Sequence, residues 1–180
     1  MSEMPKLTPI AQQFIIHWGE MGERWGINRA VAQIHALLYV SKEALTAEEI
    51  AEALSVARSN VSTSLRELQG WGVVTVAHVL GDRRDRFQTY SDVWEMFRAI
   101  LDERKRREVD PAVERLRECV VESTQSKEAD AHVTQRLREL LDFFETMTAW
   151  YEQVHRLPRA TVLKVIKLGQ RVSALLEKAR

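Results

Sequence analysis

Between Thr46 and Tyr90 the residue pattern changes period twice, and no other stretch constrains the fold so tightly. Thr46-Ala-Glu-Glu49 is a capping box, with Thr at the N-cap and Glu three residues later reaching back to its N–H. Ile50, Ala53 and Leu54 give the short helix that follows a buried side, and Ser55-Val56 makes the turn, Val56 plugging the corner. A second helix runs from Ala57 to Gln69, with Val61, Leu65 and Leu68 inward. Gly70 and Gly72 flank Trp71, and Gly72 is the expected left-handed terminator. Val73 to Val79 is rich in β-branched residues, Gly81-Asp82 turns the chain, and Phe87-Gln-Thr-Tyr90 returns as the partner strand.

Two short helices, a tight turn and a hairpin with a basic tip are the layout of a winged helix-turn-helix. In that layout the second helix enters the DNA major groove and the hairpin tip reaches the backbone or minor groove. The expected partner is therefore a duplex DNA operator. The outward positions of the second helix are Arg58, Ser59, Asn60, Ser62, Thr63, Ser64 and Arg66. Short polar side chains let the backbone approach closely, while Arg and Asn can pair with guanine or adenine edges. Arg58 and Asn60 are the candidate base readers; Ser62, Thr63 and Ser64 can donate to phosphates. Exposed helix faces ordinarily carry Glu and Lys, and Ser, Thr and Asn are poor helix formers, so structure alone gives little reason for this face. At the tip, Arg83, Arg84 and Arg86 alternate with Asp82 and Asp85, and three arginines on a short loop can grip phosphates or straddle a minor groove. The segment is nonetheless not basic. Its five arginines (58, 66, 83, 84, 86) face six acids (48, 49, 52, 67, 82, 85), of which the four helical ones are expected to face away.

The flanks read as helices. Thr8-Pro9 opens one whose stripe is Ile10, Phe14, Trp18, Met21 and Trp25, with Gly26 as its stop. Asn28 caps the next, with Val31, Ile34, Leu37 and Leu38 inward, and Ser41 to Leu45 is a connection. Ser91-Asp92 caps a helix that Asp110-Pro111 breaks or restarts. Leu137, Leu141, Phe144, Thr148, Tyr151 and His155 recur at fours and threes; after Leu157-Pro158 the line resumes at Val162, Val165, Gly169, Val172 and Leu176. Such a seam argues for helix-on-helix packing between two subunits. The expected class is mainly α: a winged helix-turn-helix over 28–91, an N-terminal helix over 1–27, and a helical linker and dimerisation arm over 92–180.

Lys plus Arg equals Asp plus Glu at 26 each, so any DNA-attracting field must be local. Cys119 is alone, which excludes a disulfide framework and a multi-cysteine zinc site; a small, buried or half-buried apolar role is expected for it, with a redox-sensing thiol as the alternative. With no signal pattern and no apolar run of roughly 18 residues, the chain is expected in the cytoplasm and off the membrane. The histidines 17, 35, 78, 132 and 155 show no metal-ligand spacing and no nucleophile beside a base, and no Gly-rich phosphate loop exists. Neither catalytic residues nor a metal or cofactor are expected. The rival class is a winged helix used for protein interaction, which the electroneutral composition favours and the Ser/Asn/Arg face opposes.

Leu45-Thr-Ala-Glu-Glu-Ile-Ala-Glu-Ala-Leu54, Ser59-Asn-Val-Ser-Thr-Ser-Leu-Arg-Glu-Leu68, Trp71-Gly-Val-Val74 and Gly81-Asp-Arg-Arg-Asp-Arg86 resemble the GbsR branch of the MarR-type winged-helix repressors. So does the segment from Arg98 to Pro111, and the resemblance covers roughly residues 10 to 150. It implies a homodimer on a near-palindromic operator, dimerised by helices at both chain ends, with Arg58, Ser59 to Ser64, Arg66, Arg83 and Arg84 toward DNA. Two departures weaken the cap of the reading helix: Ala57 stands where the family usually has Ser, and Ser55 where it usually has Gly. Some regulators of this branch respond to quaternary ammonium compounds such as choline, which need an aromatic cage. Trp18, Trp25, Trp94, Trp150 and Tyr151 are the candidates here, with a generic effector pocket or no effector as alternatives. An effector between reading domain and dimer helices is expected to change the spacing of the two reading helices, which must sit roughly 34 Å apart.

Overall fold

Thr8 starts the first helix, α1 (Pro9–Arg24): its hydroxyl accepts from the Ala11 amide at 3.2 Å, and Pro9 needs no partner for an N–H it lacks. The structure, a computed structural model, describes residues 7–81, 83–125 and 130–178, with the side chains of 170–178 left out. Asn28 caps α2 (Arg29–Val40) through the Ala30 amide at 2.8 Å. The inner face of α1 is Ile15, Gly19 and Gly22, with Phe14 and Trp18 half-buried against the core. The expected stripe is thus turned: Ile10 is 79% exposed and Trp25 61%. The two glycines are the reason. A Cβ on Gly22 would stand 2.5 Å from Ala32 Cβ, and one on Gly19 2.6 Å from Gln33 Cγ, so the closest approach of α2 runs along the glycine side.

The winged domain follows with β1 (Leu45–Thr46), α3 (Ala47–Leu54), α4 (Arg58–Gly70), β2 (Val74–Ala77) and β3 (Arg86–Thr89). Leu45, read from sequence as connection, pairs with Phe87, and the antiparallel sheet has the order β1-β3-β2. Val74 opposes Thr89 and Ala77 opposes Arg86, so the hairpin ladder ends at Ala77; His78, Val79 and Leu80 lie beyond it, exposed. The expected capping box forms in full: Glu49 N–H to Thr46 Oγ1 at 3.2 Å, and Thr46 N–H to Glu49 Oε2 at 2.8 Å. Ile34, Leu37, Ile50, Val61, Leu65, Leu68 and Val73 fill one core between α2, α3, α4 and the sheet. These elements lie in the first of two compact units, Met1–Glu103; Arg104–Arg180 is the second.

Asp92 caps α5 (Val93–Arg104) by accepting from the Trp94 amide at 2.7 Å. A π-helical turn, Lys105–Val109, precedes α6 (Asp110–Gln125), in which the Asp110 N–H reaches the Lys105 carbonyl five residues back. Pro111 has no N–H for the regular ladder, so the helix widens by one residue there instead of breaking. In the second unit α6 packs on α7 (Ala131–His155), and Arg117 Nε meets Glu145 Oε1 at 2.8 Å across that pair. Leu137, Leu141, Phe144, Thr148, Tyr151 and His155 are all half-buried within the single chain, whereas Leu140, Phe143, Met147 and Trp150 on the same helix are exposed. Helix α8 (Arg159–Lys178) begins just past Pro158, with Val162 half-buried and Val165 and Gly169 exposed; the side chains of Val172 and Leu176 lie outside the described residues. Cys119 is half-buried, and no helix among the described residues is long and apolar enough to cross a membrane.

Candidate nucleic-acid interface

The turn that aims α4 is built on Ser55, the one non-glycine residue with positive φ (53°) among the described residues. Its amide and that of Val56 close the end of α3 on Glu52 and Ala51 carbonyls at 3.2 and 3.0 Å, and half-buried Val56 packs on the core. Ala57 at the N-cap of α4 offers no side-chain hydrogen bond, so the first amides of that helix take no cap from the N-cap residue. A helix start in this condition favours an anionic group, such as a phosphate.

Arg58, Ser59, Asn60, Thr63 and Arg66 are exposed and Ser62 is half-exposed, as the outward assignment requires. Arg66 lies along its own helix, Nε to the Ser62 carbonyl at 3.4 Å and Nη2 to Thr63 Oγ1 at 3.3 Å. Ser64 is a correction. It is 2% exposed, its hydroxyl directed at Asn60 Oδ1 at 3.5 Å, and it offers nothing to DNA. Position 64 stands three after Val61 and four before Leu68, on the inner face of the helix.

The wing divides its arginines. Arg83 and Arg84 are exposed at the tip, while Asp82 lies outside the described residues. Arg86 is the second correction: it opens β3, its side chain is 12% exposed, and Nη1 donates to the Ala44 carbonyl at 2.9 Å and meets Glu49 Oε2 at 3.3 Å. It therefore ties the wing to the capping box. The helical acids also depart from expectation, since Glu49 turns inward to this clasp and Glu48 turns onto Arg58, Oε1 to Nη2 at 2.7 Å. Glu48, Arg58, Ser62, Arg66, Arg84 and Asp85 rim a cleft of about 360 Å³ between α3, α4 and the wing, floored by Leu65, Val76 and Phe87. The Glu48 carboxyl is held below the usual range, first by its backbone amide and then by Arg58 and Arg84, against some burial.

The aromatic candidates are divided between the two units. Trp18, its ring tilted against that of Phe14 at 5.4 Å, exposed Trp25 and half-buried Trp94 belong to the first unit. Trp150, exposed, and Tyr151, whose ring lies 5.7 Å from that of His155, belong to the second. His35 is the interior group its spacing suggested: Nε2 is 3.2 Å from Thr89 Oγ1, whose hydroxyl donates to the Val73 carbonyl at 2.7 Å. Nε2 must then carry the ring proton, since the hydroxyl hydrogen is already used. This chain from α2 to the root of the wing is a support that sequence reading missed, because Thr89 and His35 lie far apart in the chain.

Residues 20–85 match the family model described as MarR family. The chain is 25% identical over 163 residues to the HTH-type transcriptional repressor GbsR of Bacillus subtilis (strain 168), covering 87% of this chain and 90% of that protein. A crystal structure of a transcriptional regulator, 26% identical, superposes with a TM-score of 0.64 over 82% of this chain and 96% of its own. Together with the capped helix-turn-helix, the paired wing and the polar face of α4, these likenesses make residues 20–85 a winged domain similar to those of the MarR family and support a DNA-binding transcriptional regulator.

Proposed function

We propose that the chain is a homodimeric repressor that grips a near-palindromic duplex through α4 and the wing of each subunit and lets go when a small effector binds. The observation that carries the DNA half is the exposed Arg58, Ser59, Asn60, Thr63 and Arg66 on one helix face, with Arg83 and Arg84 on the adjoining wing. Hydroxyl, amide and guanidinium groups on a helix uncapped at its N-terminus suit base edges and phosphates together. The likeness to a protein named as a repressor supports repression over activation.

The dimer half rests on apolar surface that one chain leaves uncovered. On α7, Leu140, Phe143, Met147 and Trp150 recur at threes and fours with exposures between 44% and 58%. Ile10 on α1 and Trp25 just past its end are also exposed, at 79% and 61%. A continuous stripe of this kind suits a helix from a second copy. For the effector, the Tyr151 ring, 5.7 Å from that of His155, offers a face that attracts a quaternary ammonium cation such as choline.

Selection of duplexes from a randomised pool by the purified protein tests the reading. Enrichment of an inverted repeat with half-site centres about one helical turn apart is the expected result. Retention without any shared sequence, or no retention, contradicts it. Adding choline to the bound complex should release DNA; unchanged binding rejects that effector class.

A further inference from the structure

Glu48 is an acid among arginines on a face meant for a polyanion. It stands exposed in the first turn of α3, and its Oε1 receives both Nε and Nη2 of Arg58 at 2.7 Å, ten residues further along the chain. Arg66 and Arg84 rim the same cleft. A carboxylate here repels any phosphate that enters, so it lowers the grip common to all sequences. As an exposed ion pair it contributes little to folding. What it does accomplish is to hold a long, rotamer-rich side chain in one direction before DNA arrives. With the Nε–Nη2 edge turned to Glu48, the Nη1–Nη2 end of the guanidinium keeps one hydrogen on each nitrogen, a fork that matches the paired acceptors of guanine.

We propose that Glu48 is a positioning residue for sequence discrimination: it pre-orients Arg58 toward a base edge and denies the cleft to an extra phosphate. This rests on the proposed base-reading role of Arg58. The consequence is a protein that binds random duplex weakly and its operator selectively, despite an electroneutral composition.

The test compares affinity for a duplex enriched by the wild-type protein with that for a scrambled duplex of equal length, across salt concentrations, for Glu48→Gln, Glu48→Asp, Arg58→Ala and the Glu48→Gln/Arg58→Ala double variant. Glu48→Gln should lower the enriched-to-scrambled ratio by about fivefold, the entropy of ordering one long side chain. It should also tighten scrambled binding and steepen the log–log salt slope by about one. Glu48→Asp keeps the charge but shortens the reach, so the ratio should fall while the slope stays. In the Arg58→Ala background, Glu48→Gln should change the ratio no further. If Arg58→Ala lowers the ratio but Glu48→Gln leaves it unchanged, or raises both affinities equally, the positioning role is wrong and the base-reading role stands. If Arg58→Ala itself leaves the ratio unchanged, Arg58 does not read a base and the inference falls with it.

Discussion

His35 sits on the inner face of α2, and burial lowers its pKa from 6.5 to about 4. The unfolded chain therefore takes up a proton near pH 6.5 that the folded one refuses until about pH 4. Stability should be constant above pH 6.5 with respect to this group and should fall as pH drops from 6.5 toward 4. At pH 4.5 the loss amounts to about 2–3 kcal/mol. Urea unfolding at pH 7 and pH 4.5 measures it, and in His35→Gln the part of the pH dependence due to this ring should vanish. An unchanged pH dependence in that variant would contradict the interior, neutral imidazole. The same kind of reading at single positions separates Ser64 and Arg86 from their neighbours. Ser64 looked like part of a hydroxyl run, yet helical spacing from Val61 and Leu68 puts it inside. Arg86 looked like a third tip arginine, yet one residue of register places it in β3 against Thr46.

Among the elements, the α3–α4 turn carries a local cost. Ser55 at φ 53° holds a side chain in a conformation that glycine adopts freely. Ser55→Gly should raise stability by about 1 kcal/mol, read as a higher denaturant midpoint at unchanged m-value; a loss of stability would mean that the Ser55 side chain contributes more than its strain costs. Gly22→Ala should act in the opposite sense. The added methyl meets Ala32 Cβ, and the α1–α2 contact should weaken by about 1–3 kcal/mol; a neutral result would mean that α1 can shift to accommodate it. Caps, turns and the hairpin were legible because their signals are local: Thr46 with Glu49, Asn28, Gly72 with φ 69°, and the β-branched run before Gly81. The contact face of α1 was not. Its apolar stripe and its glycines point in different directions, and only the approach of α2 decides between them. The β1 pairing and the Arg86–Glu49 clasp likewise depend on partners some forty residues away in the chain.

For the whole molecule, two surfaces must cooperate. The stripe on α7 should join two copies, so Phe143→Glu with Met147→Glu should give a folded monomer by sedimentation, with operator binding lost because one half-site is held alone. A dimer that persists in this variant would place the interface elsewhere. The face of α4 and the wing should then do the gripping, and one measurement bears on that claim most directly. It is the affinity of the wild-type chain and of Arg84→Ala for duplex DNA as salt is raised. Log affinity for the wild type should fall linearly and steeply with log salt, and Arg84→Ala should weaken enriched and scrambled duplexes alike while flattening the slope by about one. A flat response for the wild type would mean that no phosphates are engaged and that this winged helix meets some other partner.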